Sequence, residues 1–461
     1  MKRIAYILTA LLFLLCACQP TPEKEFIVSH TEPQAKPTEN GGESVNPKVE
    51  TDPSAIPARW EETMDVAGTK IVFEADVRTD EDARHPLYKV RHGRFGGETC
   101  LSMIESVFGK TERRMNQLSR DDIMEQIEIL RLGIITGYDY NAREFITIPL
   151  ENEEELLAPY IRQLQAAPAE DTFSPLTAAY LDSLTYGDTI AVRYENGDIG
   201  TVRKSKNDAA SEKVFTYHKY RNGLIQPEQW VLQVDGGMAS ERPHTLDNIT
   251  ITEEEAISAA DRIVSLFGRD DLKLARVEKA RLMKSQITRP DEPNDVAEGY
   301  YLHYAQAPKG YLGNGYRLVD SEQILQYQDI QSMYSRAWGQ EFLNILVADE
   351  GIVSVQWINP MEVVGIETAD VALLPFEEVQ GRIRTLLEYG VKGSTYLDGS
   401  DGNIYVEEVF LSTMLRPVKD DPDYAVLEPA WVVRMETDLS RKLHFSPSFL
   451  IIDATDGSLI W

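Results

Sequence analysis

Two stretches in the second half of the chain repeat one pattern, and that repeat limits the fold more than any other feature. Residues 252–268 read TEEEAISAADRIVSLFG and residues 375–390 read PFEEVQGRIRTLLEYG. Ala256, Ala260, Ile263 and Val264 in the first, and Val379, Ile383, Leu386 and Leu387 in the second, share the spacing of one helix face. Each opens on a starting residue, Thr252 or Pro375, followed by acidic side chains that suit the positive end of a helix. Strand patterns come next: KLARVEKARLM, GYYLHYAQA and FLNILVADEGIVSVQW after the first, and IYVEEVFLSTML, PAWVVRMET and FLIIDATDGSLIW after the second. Turns are expected at Asp349-Glu350-Gly351 and Asp456-Gly457. Each unit therefore reads as one helix laid across a small antiparallel sheet. The last strand pattern reaches the C-terminus, so loss of even a few terminal residues should damage the fold.

The region before the repeats mixes the same ingredients. TKIVFEADV (69–77) alternates as a strand, LYKVRHGRF follows as a second, and GGETCLSMIESVFG reads as a short helix with Cys100, Met103, Ile104 and Val107 on one face. Cys100 is thus expected in the core. Helices are expected in SRDDIMEQIEILRLG and NEEELLAPYIRQLQ, a hairpin in DTIAVRYENGDIGTVRKS turned at Glu195-Asn196-Gly197, and a strand in EQWVLQVDGG. The fold class expected is α+β, with mostly antiparallel sheets packed by helices. The organisation expected is a leader (1–17), a linker (18–57), an N-terminal α+β domain (58–248) and the two repeats (249–365 and 366–461).

At the N-terminus Lys2 and Arg3 precede the apolar run Ile4–Leu15, too short for the ~20 residues that span a bilayer, so the segment reads as a secretory signal. Residues 19–57 are rich in Pro, Glu, Thr, Asn and Gly, the composition of a disordered stalk. The chain has 46 Lys and Arg against 75 Asp and Glu; losing Lys2 and Arg3 with the leader takes the formal net charge from −29 to −31. Such a field disfavours nucleic acid and anionic headgroups.

Leu15-Cys16-Ala17 ahead of Cys18 resembles the lipobox of bacterial lipoproteins. The resemblance implies cleavage before Cys18 and membrane attachment through a diacylglycerol on that residue, at the extracellular face of a Gram-positive type of cell. Cleavage before Cys16 would leave the bulky Leu15 at the cut. With Cys16 discarded and Cys18 acylated, Cys100 would remain as the one thiol, so an intramolecular disulfide is not expected. The acidic helix starts, the PAWVV strand and the FLIIDATDGSLI hairpin are similar to tandem PepSY-type modules. CQPTPEK, IPARWEETM and GIVSVQWINPMEV look like an uncharacterised family of Gram-positive lipoproteins classed as a domain of unknown function, a resemblance running from Cys18 to the C-terminus. These resemblances imply a non-catalytic binding or regulatory module and bring no catalytic residues with them.

Residue patterns for chemistry are sparse. The seven histidines, at 30, 85, 92, 218, 244, 303 and 444, include no pair at the i, i+4 spacing of a helical metal site. No G-x-S-x-G, S-x-x-K or H-E-x-x-H occurs. GRFGGET leads into a helix but lacks the P-loop lysine, and DGSDGN (398–403) lacks the calcium-loop register and its Glu at the twelfth position. No catalytic residue, cofactor or metal is therefore expected. Tyr300 to Trp338 holds seven tyrosines besides Trp338, and aromatics of this kind serve binding surfaces as well as cores. A partner or ligand surface, if present, is expected around Tyr311, Tyr316, Tyr334 and Trp338.

The expected function is that of a non-catalytic, lipid-anchored extracytoplasmic interaction or regulatory protein with an envelope protein as partner. An envelope hydrolase acting on glycan or peptide is the first alternative, since paired carboxylates can assemble in a fold unseen by local motifs. A solute-binding lipoprotein is the second, disfavoured because such proteins use repeated βαβ crossovers.

Overall fold

The computed structural model describes residues 56–80, 84–93, 96–114, 119–131, 134–139, 144–149, 153–170, 172–184, 189–197, 199–206, 213–220, 230–234, 246, 248–284, 295–316, 339–393, 402–418, 421–443 and 447–460. Three strands open it: β1 (Arg59–Val66), β2 (Thr69–Arg78) and β3 (Leu87–His92). A mixed stretch follows with α1 (Gly97–Phe108), β4 (Thr111–Arg114), α2 (Arg120–Arg131), β5 (Ile134–Asp139), β6 (Glu144–Pro149), α3 (Glu153–Ala166), β7 (Phe173–Pro175) and α4 (Ala178–Ser183). Next come β8 (Thr189–Tyr194), β9 (Ile199–Lys206), β10 (Lys213–Tyr220) and β11 (Trp230–Val234). Then come α5 (Glu253–Leu266), β12 (Leu272–Lys284), β13 (Asp295–Gln306), β14 (Phe342–Ala348), β15 (Gly351–Ile358) and β16 (Met361–Thr368). The chain closes with α6 (Phe376–Gly393), β17 (Ile404–Val418), β18 (Asp421–Thr437), α7 (Asp438–Leu443) and β19 (Ser448–Asp453).

These strands form a ten-stranded sheet in the order β11-β12-β13-β14-β15-β10-β9-β8-β4-β7, a seven-stranded sheet in the order β1-β2-β17-β18-β3-β16 with β19 also on β18, and the pair β5-β6. Every pairing is antiparallel except β2 with β17, which run parallel from Ile71↔Ile404. The fold is α+β and mostly antiparallel. Residues 58–248, read from the sequence as one segment, supply strands to both large sheets: β1–β3 lie beside β16–β18, and β4 and β7–β11 flank β12–β15.

Each long helix covers one sheet for the reason its spacing suggested. Thr252 caps α5 through a complete capping box, its hydroxyl accepting from Glu255 N–H while the Glu255 carboxylate accepts from Thr252 N–H. Ala256, Ala260, Ile263 and Val264 are then buried against Leu302, Tyr304, Leu343 and Ile345 of the ten-stranded sheet, in a core that also takes Cys100 and Ile104 from α1. On the other sheet Val379, Ile383, Leu387 and Val391 of α6 pack with Ile71, Phe73 and Trp431, while Trp60 stacks on Phe73 at 4.2 Å. Burial of each such side chain contributes about 1.5–3 kcal/mol before conformational entropy is set against it.

The chain passes from one sheet to the other at Asn359-Pro360, between β15 and β16. Asn359 has φ +48°, a left-handed conformation that asparagine tolerates better than bulkier residues, and its Nδ2 donates to the Gln340 carbonyl at 3.1 Å. Gly93 N–H donates to the Pro360 carbonyl at 2.6 Å, tying the crossover to the end of β3. β16 is thereby delivered to the rim of the seven-stranded sheet. No described helix is long and apolar enough to cross a membrane.

Candidate functional site

The aromatic residues singled out above fall in different surroundings. Tyr311 is 2 % exposed, so the expectation of a surface role there is corrected. Its hydroxyl donates to the Pro86 carbonyl at 2.9 Å, and burial raises its pKa far above the ordinary phenol value. Tyr316 is half-buried between the sheets, its ring 4.8 Å from the guanidinium of Arg276 on β12 and 5.9 Å from that of Arg434 on β18. Its hydroxyl donates to Glu408 at 3.1 Å and is pushed up to about 12, first by burial and then by the Glu408 charge. Tyr334 and Trp338 lie outside the described residues, as does Cys18.

Tyr316 sits in the middle of a polar seam. On one side Arg276 donates to Glu278 at 2.5 Å, and the buried His303 joins Glu278 through Nε2 at 2.8 Å and Asn344 through Nδ1 at 3.0 Å. Burial pushes the Glu278 carboxyl up, but the His303 hydrogen bond and the Arg276 charge outweigh it and hold the group below its ordinary range. On the other side Arg434 pairs with Glu407 and, at 2.6 Å, with Glu436, and Arg441 pairs with both carboxylates. Arginine suits this work because its planar fork satisfies a carboxylate while its face stacks on a ring. The charge pairs lie within each sheet, and Tyr316 links the two sheets by packing on Arg276 and Arg434 and bonding Glu408.

A second buried group lies at the start of β14. Arg269 donates to both oxygens of Glu341 at 2.6 and 2.7 Å and to both of Asp271 at 2.8 and 2.9 Å, while Trp357 Nε1–H donates to Glu341 at 2.8 Å. Phe267 stacks flat on Trp357 at 5.3 Å. Beside it, a cavity of about 20 Å³ lined by Gln306, Asn314, Gln340 and Ser412 has room for about one water molecule. Among the described residues no cluster of three His, Cys, Asp or Glu has metal-site geometry. The Arg269 group ties the turn after α5 to β14 and β15 within the ten-stranded sheet.

The surface with unspent binding capacity is the outer side of β16. β16 pairs with β3 on one side only and ends the described sheet. Glu362 to Glu367 are all exposed, including Val363 at 39 %, Val364 at 41 % and Ile366 at 59 %. An edge strand presents a row of backbone N–H and C=O groups, which most proteins shield. The other edges with described side chains are shielded: β1 carries exposed Arg59, Glu61 and Asp65, and β7 has three residues and ends at Pro175. β19 is covered by the returning chain, through the Ile452↔Leu459 bridge and Ile460 N–H on the Ile451 carbonyl at 2.8 Å. Two register shifts along β16, at Val363/Gly365 and Ile366/Thr368, re-aim its side chains. The sequence reading stopped at the β14–β15 hairpin and missed this strand, although an apolar run just after Asn359-Pro360 was the available signal.

No protein-family model matches the chain, and no curated protein matches it. A solved structure of an uncharacterized protein from Eubacterium rectale ATCC 33656 is similar over 89% of this chain and 96% of that chain, at 12% identity and a TM-score of 0.45.

Proposed function

We propose that this chain is a non-catalytic interaction or regulatory lipoprotein, held at the extracellular face of a cell membrane through a diacylglycerol on Cys18, with an envelope protein as its partner. The observation that carries the reading is the open, apolar edge of β16, since main-chain hydrogen bonding to a free sheet edge is a recurring mode of protein recognition. Two features support it. The lipobox-like Leu15-Cys16-Ala17-Cys18 gives the anchor, and α5 and α6, each a helix on a mostly antiparallel sheet, suit the reading of residues 249–365 and 366–461 as PepSY-like modules. A net charge of −31 after loss of the leader keeps the body of the protein away from anionic headgroups and favours a partner with a basic contact surface.

Cross-linking in intact cells followed by mass spectrometry tests the reading. Reproducible capture of one envelope protein is expected, and it should be lost when Cys18→Ala moves the chain from the membrane to the soluble fraction. Retention of C18A at the membrane would overturn the anchor, and repeated capture of nothing above background would overturn the interaction role.

A further inference from the structure

We infer that the β16 edge receives an extended segment of another protein in which an apolar centre is flanked by Lys or Arg, and that it does not receive a second copy of this chain. The inference rests on the interaction role proposed above and specifies the surface and the chemistry of the partner.

The apolar centre of the edge, Val363, Val364 and Ile366, is bracketed by Glu362 and Glu367. Glu362 is shared with Arg91 of β3 at 2.6 Å, a pair half exposed on both sides and so weakly held. Glu367 is exposed and has no ion-pair partner among the described residues. An incoming strand that places apolar residues over Val363–Ile366 sets its flanking residues beside these two carboxylates. Opposite charges at directly facing positions stabilise a strand pair, and like charges destabilise it.

Self-pairing is disfavoured by the same geometry. Two β16 strands laid antiparallel with their apolar centres superposed face Val363 with Ile366 and Glu362 with Glu367, twice over. Each such contact sets carboxylate against carboxylate, between chains that each carry a net charge of −31 once the leader is lost. The acidic ends let the edge stay open without self-association, and the same ends select a basic strand.

The test uses the full chain and a labelled, end-capped peptide, Lys-Lys-Thr-Val-Thr-Val-Thr-Lys-Lys, beside a twin with Glu at the four Lys positions. Fluorescence anisotropy reads affinity, and amide hydrogen exchange reads protection along residues 361–368. The Lys peptide is expected to bind and to protect those amides. The Glu twin and the Ile366→Lys and Val364→Lys variants should each weaken binding by about tenfold or more. Both substituted side chains are already exposed, so unchanged circular dichroism and melting temperature certify the fold. Equal binding of the two peptides, protection elsewhere, or no protection by the Lys peptide would overturn the inference. So would a dimer in sedimentation that I366K dissolves. If in-cell capture of an envelope protein persists in I366K, the interaction role stands and the β16 assignment falls.

Discussion

At the scale of single residues, the strongest demands fall on charges taken out of water. Burial pushes the Glu341 carboxyl up, while the Arg269 fork and the Trp357 N–H pull against it. Glu341→Ala leaves Arg269 paired with Asp271 alone in a mostly buried site and should destabilise the fold by about 3–5 kcal/mol in urea unfolding. Glu341→Gln, which keeps an acceptor for Trp357, should cost less. His303 works in the opposite sense. Burial, seconded by the charge of Arg276, lowers its pKa despite the bonds to Glu278 and Asn344, with the edge of Tyr301 completing its surroundings. The unfolded chain then binds a proton at a higher pH than the folded one, so this contribution is full above about 6.5 and is lost as pH falls below that value. A melting temperature that declines between about pH 7 and pH 5.5, with a shallower decline in His303→Gln, is expected from thermal scans. Glu278 and Asp271, both held below their ordinary values, act in a separate and more acid window, losing their contribution as pH falls below about 4.

At the scale of elements, local signals were legible and distant pairings were not. The α5 face of Ala256, Ala260, Ile263 and Val264 is buried as its spacing implies, because a helix face is written within about a dozen residues. The Thr252 box is local in the same way, and Thr252→Ala should cost about 1 kcal/mol in denaturant unfolding. Cys100 lies in the core beside Ile104, again as the period required. By contrast, nothing near Ile71 states that its neighbour is Ile404, since strand partners are chosen by topology. The placement of β1–β3 beside β16–β18 therefore escaped a reading that kept residues 58–248 together. Tyr311 was misread for a related reason: a tyrosine-rich stretch looks the same whether its hydroxyls meet solvent or a carbonyl such as that of Pro86. The β16 edge was missed because no periodicity marks a strand with apolar residues exposed on both sides.

For the molecule as a whole, the two large sheets depend on distant parts of the chain. Residues 249–461 expressed alone lack β1–β3, leaving β17 without β2 on its outer side, part of β18 without β3 and β16 without its partner, and removing Trp60, Phe73 and Val90 from the core around α6. That fragment should show poor amide dispersion and no cooperative melt, and co-expression with residues 1–248 should restore both. The Lys70 amide meets the Asn403 side chain across 333 residues of sequence. A chain made from its N-terminus at ~5–20 residues per second completes β2 on the order of tens of seconds before β17 exists. The meander β12–β15 joins neighbours in sequence and can close early, whereas the parallel junction of β2 with β17 carries the loop-closure cost of most of the chain. Assembly thus has a built-in order, in which the oldest strands wait for the youngest and the nascent protein depends on whatever shields β1 and β2 in the interval.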